Sequence, residues 1–266
     1  MQFTHNQHYV PRTYLKPWEN AQGKLEIYDK KGMTTAHKGP KRILKDTDYY
    51  EKPGEPVDNA LEIKFGTFEN AYGPVREAVL FVVKNAVECG GNVSEELASY
   101  LSTVPQKANI IKEFAAVSFF RTPAALAAMR TQLNADTTDP LSAMALSALD
   151  SPFMMSTQAF DSTLLDRFRN LSIIVMYSHT ELLNTCDRPC FPVSGGTGHA
   201  NFGHDIGRHP LMFAFMPISP RLLVAFIPTL NGRQPFVHGC DVTPEFALQS
   251  RDIVERFAER YVVIAQ

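Results

Sequence analysis

The stretch DSTLLDRFRNLSIIVMYSH, residues 161–179, decides the fold, because the pattern of its apolar residues changes within it. Up to Asn170 the chain reads as the last of several helices. From Leu171 onward, β-branched and aromatic residues follow one another as they do in strands. Outward from this switch the two halves of the chain read differently. Toward the N-terminus lie VPQKANIIKEFAAVSFFR, TPAALAAMRTQLN, DPLSAMALSALD and SPFMMSTQAFDSTLLDRFRN. Pro105, Pro123, Pro140 and Pro152 punctuate them, each where a first helical turn accepts proline. Toward the C-terminus, LSIIVMYSH, LLNTC, LMFAFMPIS and RLLVAFIP are strands separated by turns, with PISPR as a hairpin connection. Thr243-Pro244-Glu245 opens a final helix to about Arg260, and YVVIAQ closes as a last strand.

Farther upstream a long helix is expected from about Pro56 and Asp58. Its stripe is Leu61, Phe65, Phe68, Tyr72, Val75, Val79 and Val82, at spacings of three and four. Gly73-Pro74 predicts a kink or break within it, and Cys89-Gly90-Gly91 ends it. Ser94, with two glutamates behind it, starts the next helix. Before residue 56 the chain reads as strands: LEIYDKKG alternates, and RILKDTDYYE is short with an aromatic end. Strands, then helices, then strands make an α+β chain. The expectation is a single domain over 1–266: N-terminal strands in 1–55, helices in 56–170, and C-terminal strands with a final helix in 171–266. The strands of both ends form one mixed sheet, with the helical middle packed against it.

The totals bound the function. The chain has 266 residues, 44% hydrophobic, with a formal net charge of -2 and a pI near 6.4, so no global basic field draws in nucleic acid. Of Cys89, Cys186, Cys190 and Cys240, only Cys186 and Cys190 lie close together, and no CxxC pair occurs. Zinc binding by that pair needs two distant ligands; buried free thiols are the simpler reading. No apolar run opens the chain and none is long enough to span a bilayer. A reducing, cytoplasmic setting is therefore expected.

The densest chemistry stands at the start, in QHYVPRTYLKPW (7–18). Pro11 restricts Val10 to extended geometry. A stiff strand then puts His8, Val10 and Arg12 on one side and Tyr9 and Pro11 on the other. HYVPRTYLKPW, with LEIYDKKG, DTDYYE and ALEIKFGTFE, resembles a family of unknown function (domain of unknown function 4238). That family's signature is His-Tyr-Val-Pro followed by a Tyr/Phe-Leu pair. FFRTP, NTCDRPCFPV and MPISPRLLVAF resemble its later segments, so the resemblance covers nearly the whole chain. One departure is Cys186-Asp187-Arg188-Pro189, where the family has Ser-Asp-Asn-Pro. The resemblance implies no activity.

Candidate site residues follow from their chemistry. His8 is a general base or metal ligand, or a structural histidine. Arg12 clamps a carboxylate or phosphate beside it, or makes a salt bridge; Tyr9, on the other side of the strand, is a further substrate-binding candidate. Glu62 and Glu69 share a helix face about 10 Å apart, too far to share one ion; each meets a partner such as Arg12 or Arg121, or faces solvent. Arg121, closing an apolar run, is an anion-binding arginine or the buried partner of Glu62 or Glu69. Asp187 is a turn residue, or with His8 and Glu69 completes a set that holds a divalent metal or activates water. SGGTGHANFGHDIGRH (194–209) carries His199, His204, Asp205 and His209 without a zinc spacing, and reads as a surface or lid loop.

Two functions remain open. One is a metal-assisted phosphodiester or nucleotide hydrolase, a nuclease-like effector or defence protein of bacterial type. In it His8, Glu69 and Asp187 are catalytic; Arg12, Tyr9, Glu62 and Arg121 bind a nucleotide or nucleic acid. The other is a non-catalytic binding module whose His, Arg and Glu residues form a structural network. An open pocket with unused donors favours the first. A dry, mutually paired set favours the second.

Overall fold

The turnover near Asn170 is where the architecture divides. The structure, a computed structural model, describes residues 3–123, 125, 127, 152–158, 160, 162–194, 212–229 and 233–266. Helix α6 (Ser162–Arg169; α1–α5 are given below) ends and strand β5 (Ser172–Tyr177; β1–β4 likewise) begins. The fold is α+β.

The strands do not form one sheet. A two-stranded ribbon joins β1 (Asn6–His8) to β4 (Lys45–Thr47). A four-stranded antiparallel sheet has the order β3-β2-β11-β6, from β2 (Leu25–Asp29), β3 (Thr34–Lys38), β6 (Thr185–Cys186) and β11 (Tyr261–Ile264). A five-stranded sheet has the order β10-β5-β9-β8-β7, with β7 (Phe191–Ser194), β8 (Met212–Ser219), β9 (Leu222–Ile227) and β10 (Val237–Asp241). N-terminal and C-terminal strands thus meet, but only through β11 and β6. The reason lies in burial. In β9, LLVAFI is buried at nearly every position, as suits the middle of a sheet covered on both faces. β2 and β11 bury only some positions and suit a thinner layer. The PISPR hairpin is present: Ser219 pairs with Leu222 across the β8–β9 turn. Strands β3, β7 and β10 are additions to the sequence reading.

Helix α1 (Arg12–Leu15) starts right after Pro11, whose carbonyl accepts the N–H groups of Tyr14 (3.0 Å) and Leu15 (3.2 Å). The N-terminal segment is therefore strand, bend and helix, not extended through Arg12. A 3-10 turn over Lys16–Trp18 completes it. Helix α2 (Ala60–Glu88) runs through Gly73-Pro74 unbroken. Proline frees the carbonyl four residues back, and Asn70 is exposed to water there. A Cβ at Gly73 would stand 3.4 Å from Thr13 Oγ1 on α1, an ordinary contact.

Helix α3 (Val93–Thr103) is capped by Asn92, whose Oδ1 accepts from Glu95 N at 3.2 Å; Ser94 lies inside it. Its first turn presses on β10 so closely that a Cβ at Gly239 would sit 2.0 Å from the Ser94 carbonyl oxygen. Helix α4 (Pro105–Phe120) packs on α2 through Phe114, stacked on Tyr72 at 3.8 Å. Helices α5 (Pro152–Gln158) and α6 follow; most of the segments opened by Pro123 and Pro140 lie outside the described residues. Helix α7 (Pro244–Phe257) is capped by Thr243 Oγ1. One buried cluster links the N-terminal segment, α2–α4, α6 and the five-stranded sheet. Two smaller clusters lie beneath α7. Among the described residues no helix is long and apolar enough to cross a membrane.

Candidate functional site

The β1–β4 ribbon brings the motif histidine to the end of α4. His8 pairs with Lys45, and the next two N–H groups, of Tyr9 and Val10, both bond the Leu44 carbonyl. This leaves the His8 carbonyl pointing inward, where Arg121 Nη2 donates to it at 2.6 Å and Tyr50 Oη at 3.1 Å. Arg121 Nη1 donates to Glu69 Oε1 at 2.8 Å, and Nε to Tyr50 Oη at 3.1 Å. The guanidinium lies over the Phe65 ring at 4.2 Å. Arg121 is 1% exposed, so all three nitrogens act inside the protein. Burial works against its charge, but Tyr50 and Glu69 outweigh burial and hold the arginine more firmly charged than usual. Of the two partners read from sequence, Glu69 is the one that pairs with Arg121.

Around this knot the N-terminal segment is tied by further bonds. Gln7 is fully buried; its amide donates to Glu51, and its Oε1 accepts from Tyr50 N at 2.6 Å. Asn59 bonds both Glu51 and the Thr4 backbone. Trp18 Nε1 donates to the Leu183 carbonyl at 3.0 Å, and Tyr14 Oη meets Thr185 Oγ1 at 2.6 Å.

The remaining candidates divide. The His8 ring bonds the Pro40 carbonyl through Nε2 at 3.2 Å. Burial lowers its pKa, Arg12 and Lys45 add to this, and Pro40 and Glu69 oppose it. A neutral ring that donates from Nε2 leaves Nδ1 as an acceptor. Arg12 is exposed, with no hydrogen bond or ion pair among the described residues, and near enough to act on His8. Glu62 is half-buried. Burial raises its pKa to about 7, with Glu69 and Glu51 pushing the same way against Arg121. Its Oε2 is buried without a partner among the described residues. His8, Arg12, Glu62, Glu69 and Arg121 therefore share one neighbourhood.

Asp187 engages elsewhere. It is 4% exposed, and its two oxygens accept the N–H groups of Glu259 (3.0 Å), Arg260 (2.7 Å) and Tyr261 (2.9 Å), fixing the turn from α7 into β11. Burial nonetheless raises its pKa. Tyr9 is buried nearby, its ring tilted against Tyr49 at 5.6 Å, with Asp187 and Tyr261 acting on its hydroxyl. Among the described residues no group of three or more His, Cys, Asp or Glu is placed to hold a metal ion. Cys186 and Cys190 are fully buried free thiols. His199, His204, Asp205 and His209 lie outside the described residues.

Sequence reasoning missed Tyr50 and Arg188. Tyr50 looks like the aromatic end of a strand in DTDYYE, yet it bridges Arg121 to the His8 carbonyl. Arg188 is buried over the rings of Phe119 (5.4 Å) and Phe257 (5.8 Å), with Nε and Nη2 unpartnered among the described residues. Its only signal was the departure from the family's Asn at that position. No curated protein and no solved structure matches the chain. Residues 6–263 match the model of a protein family of unknown function, DUF4238, and the chain belongs to that family.

Proposed function

We propose that this chain is a non-catalytic binding module in which the histidine-tyrosine-valine-proline segment is structural. The observation that carries this reading is the engagement of Arg121. Its Nε, Nη1 and Nη2 each donate to a protein partner, Tyr50, Glu69 and the His8 carbonyl, and at 1% exposure the cation presents almost no surface to a substrate anion. Asp187 supports it in the same way, since three backbone N–H groups take up its carboxylate. The chemistry concentrated at the N-terminus then serves to bind that segment to α2 and α4.

The hydrolase reading has one observation in its favour. Glu62, whose pKa burial raises to about 7, shares the Arg121 neighbourhood with His8, whose Nδ1 is an acceptor when Nε2 donates, and Arg12 acts on His8. Those three would act as acid, base and anion clamp on a phosphodiester or nucleotide. The test is hydrolysis of bis-p-nitrophenyl phosphate and a nucleotide panel with Mg²⁺ and Mn²⁺, by wild type and His8→Ala. The substitution removes the ring and keeps the carbonyl that Arg121 holds. No turnover by either protein is expected. Turnover that vanishes in His8→Ala while its melting stays near wild type would establish the hydrolase instead.

A further inference from the structure

Helix α7 covers the β7–β8–β9 side of the five-stranded sheet incompletely. The two small clusters beneath it stay separate: one holds Phe191 and Val254, the other Leu223 and Ala247, and Phe215 touches both. Between them lies a pocket of about 210 Å³, walled by Phe191 and Phe215 from the sheet, by Phe246 and Val254 from α7, and by Leu183 before β6. Protein interiors seldom leave a void larger than a water molecule. A closed, carbon-lined cavity of about 150 Å³ takes up benzene, and this pocket has carbon walls and a comparable volume.

We propose that this pocket is a binding site for a small uncharged apolar molecule of one or two fused rings, or a branched hydrocarbon group of that size. The inference deepens the binding-module reading and rests on it. Three features set the ligand class. Among the described residues no charged side chain lines the pocket, so phosphates, nucleotides and carboxylates would lose hydration with nothing in return. The volume is too small for a long acyl chain or a helix. Its walls carry three phenylalanines, Phe191, Phe215 and Phe246, among aliphatic side chains, surroundings that suit an aromatic or branched guest. A guest here would join the two clusters and complete the packing of α7.

The experiment titrates the whole chain with benzene, indole, hexanoate and N-acetyl-tryptophan amide, followed by calorimetry and by the ring resonances of Phe191, Phe215 and Phe246. Val193→Trp and Ser250→Leu fill the pocket from opposite walls. Indole and benzene are expected to bind saturably, to shift those three rings and to raise the melting temperature. Hexanoate is expected to leave them unmoved, and each filled variant to bind indole at least tenfold more weakly while melting no lower. No saturable binding would overturn the proposal, as would shifts confined to other residues or undiminished binding in a filled variant that folds. N-acetyl-tryptophan amide binding tenfold tighter than indole would overturn it in favour of a partner protein's side chain. An empty pocket would leave the role of Arg121 standing, whereas His8-dependent hydrolysis would remove the module reading and leave the pocket as it is.

Discussion

Arg121 and Arg188 are both buried, at 1% and 4% exposure, and both lie over two aromatic rings. They differ in what their nitrogens meet. Every nitrogen of Arg121 has a partner, and the partners come from three separate segments: β1, the strand-to-helix connection at Tyr50, and α2. Arg188 has Nε and Nη2 buried without partners among the described residues, and burial lowers its pKa against the pull of Cys186, Cys190 and Asp187. Burial of a charge therefore does not make it structural; the count of satisfied donors does. Breaking one member of a paired buried set strands the rest, while removing an unpaired charge relieves the fold of its desolvation cost.

The largest expected effect comes from removing the paired cation. Arg121→Met keeps most of the side-chain volume but leaves the His8 carbonyl, Tyr50 Oη and Glu69 to find new partners. A loss of about 3–5 kcal/mol is expected, measured by urea unfolding, with the N-terminal segment exposed to protease first. A loss below about 1 kcal/mol would mean that the knot does not hold the segment, and the contrast with Arg188 would collapse.

Next in size is a pH effect that sharpens the reading of the Arg121 neighbourhood. Glu62 holds its proton up to about pH 7 in the folded chain, because burial and the nearby Glu69 and Glu51 disfavour its charge. A glutamate whose pKa rises on folding stabilises the folded state below its ordinary range near 4.5. That advantage is lost as pH climbs to about 7. Wild type is expected to lose about 2–3 kcal/mol of stability between pH 4.5 and 8 from this group. Glu62→Gln should remove that slope, with unfolding followed at both ends of the range. Equal slopes would mean that Arg121 already neutralises Glu62 as well as Glu69.

A smaller effect separates the His8 backbone from its side chain. His8→Ala removes only the bond from Nε2 to the Pro40 carbonyl, so a cost of about 0.5–1.5 kcal/mol is expected. A cost as large as that of Arg121→Met would place the ring, and not the carbonyl, at the centre of the knot.

How much of this was legible depends on where each signal resides. The long helix, the β5 strand and the β8–β9 hairpin carry their own periodicity and turn residues. β3, with TTAHK largely exposed, carries none. β10 is interrupted by Gly239, whose cause is the Ser94 carbonyl on another element. The partition into separate sheets rests on pairing between distant segments, which no local pattern encodes. At the site, a charge closing an apolar run announced a buried ion pair, but only geometry chose Glu69 over Glu62. Tyr50 was hidden because its role depends on the carbonyl of a residue 42 positions away. Arg12 was misplaced because the chain turns helical at Pro11.

Arg188→Met is the smallest expected effect and the sharpest test of the contrast. Methionine still packs on Phe119 and Phe257 as a flexible apolar chain and removes two buried donors that bond nothing among the described residues. The attraction between the cation and the two rings, which methionine cannot supply, is worth about 2 kcal/mol when desolvated. The desolvation cost relieved is of similar size or larger. The two nearly cancel, so a change within about 1 kcal/mol is expected by urea unfolding, with a small gain as the favoured sign. Stability should also change little with ionic strength, since no ion pair is removed. A loss of about 3 kcal/mol or more, the range for a broken buried pair, would mean that Arg188 has a partner in solution as demanding as Glu69 is for Arg121. The two arginines would then be equivalent clasps, one at the end of α4 and one over Phe119.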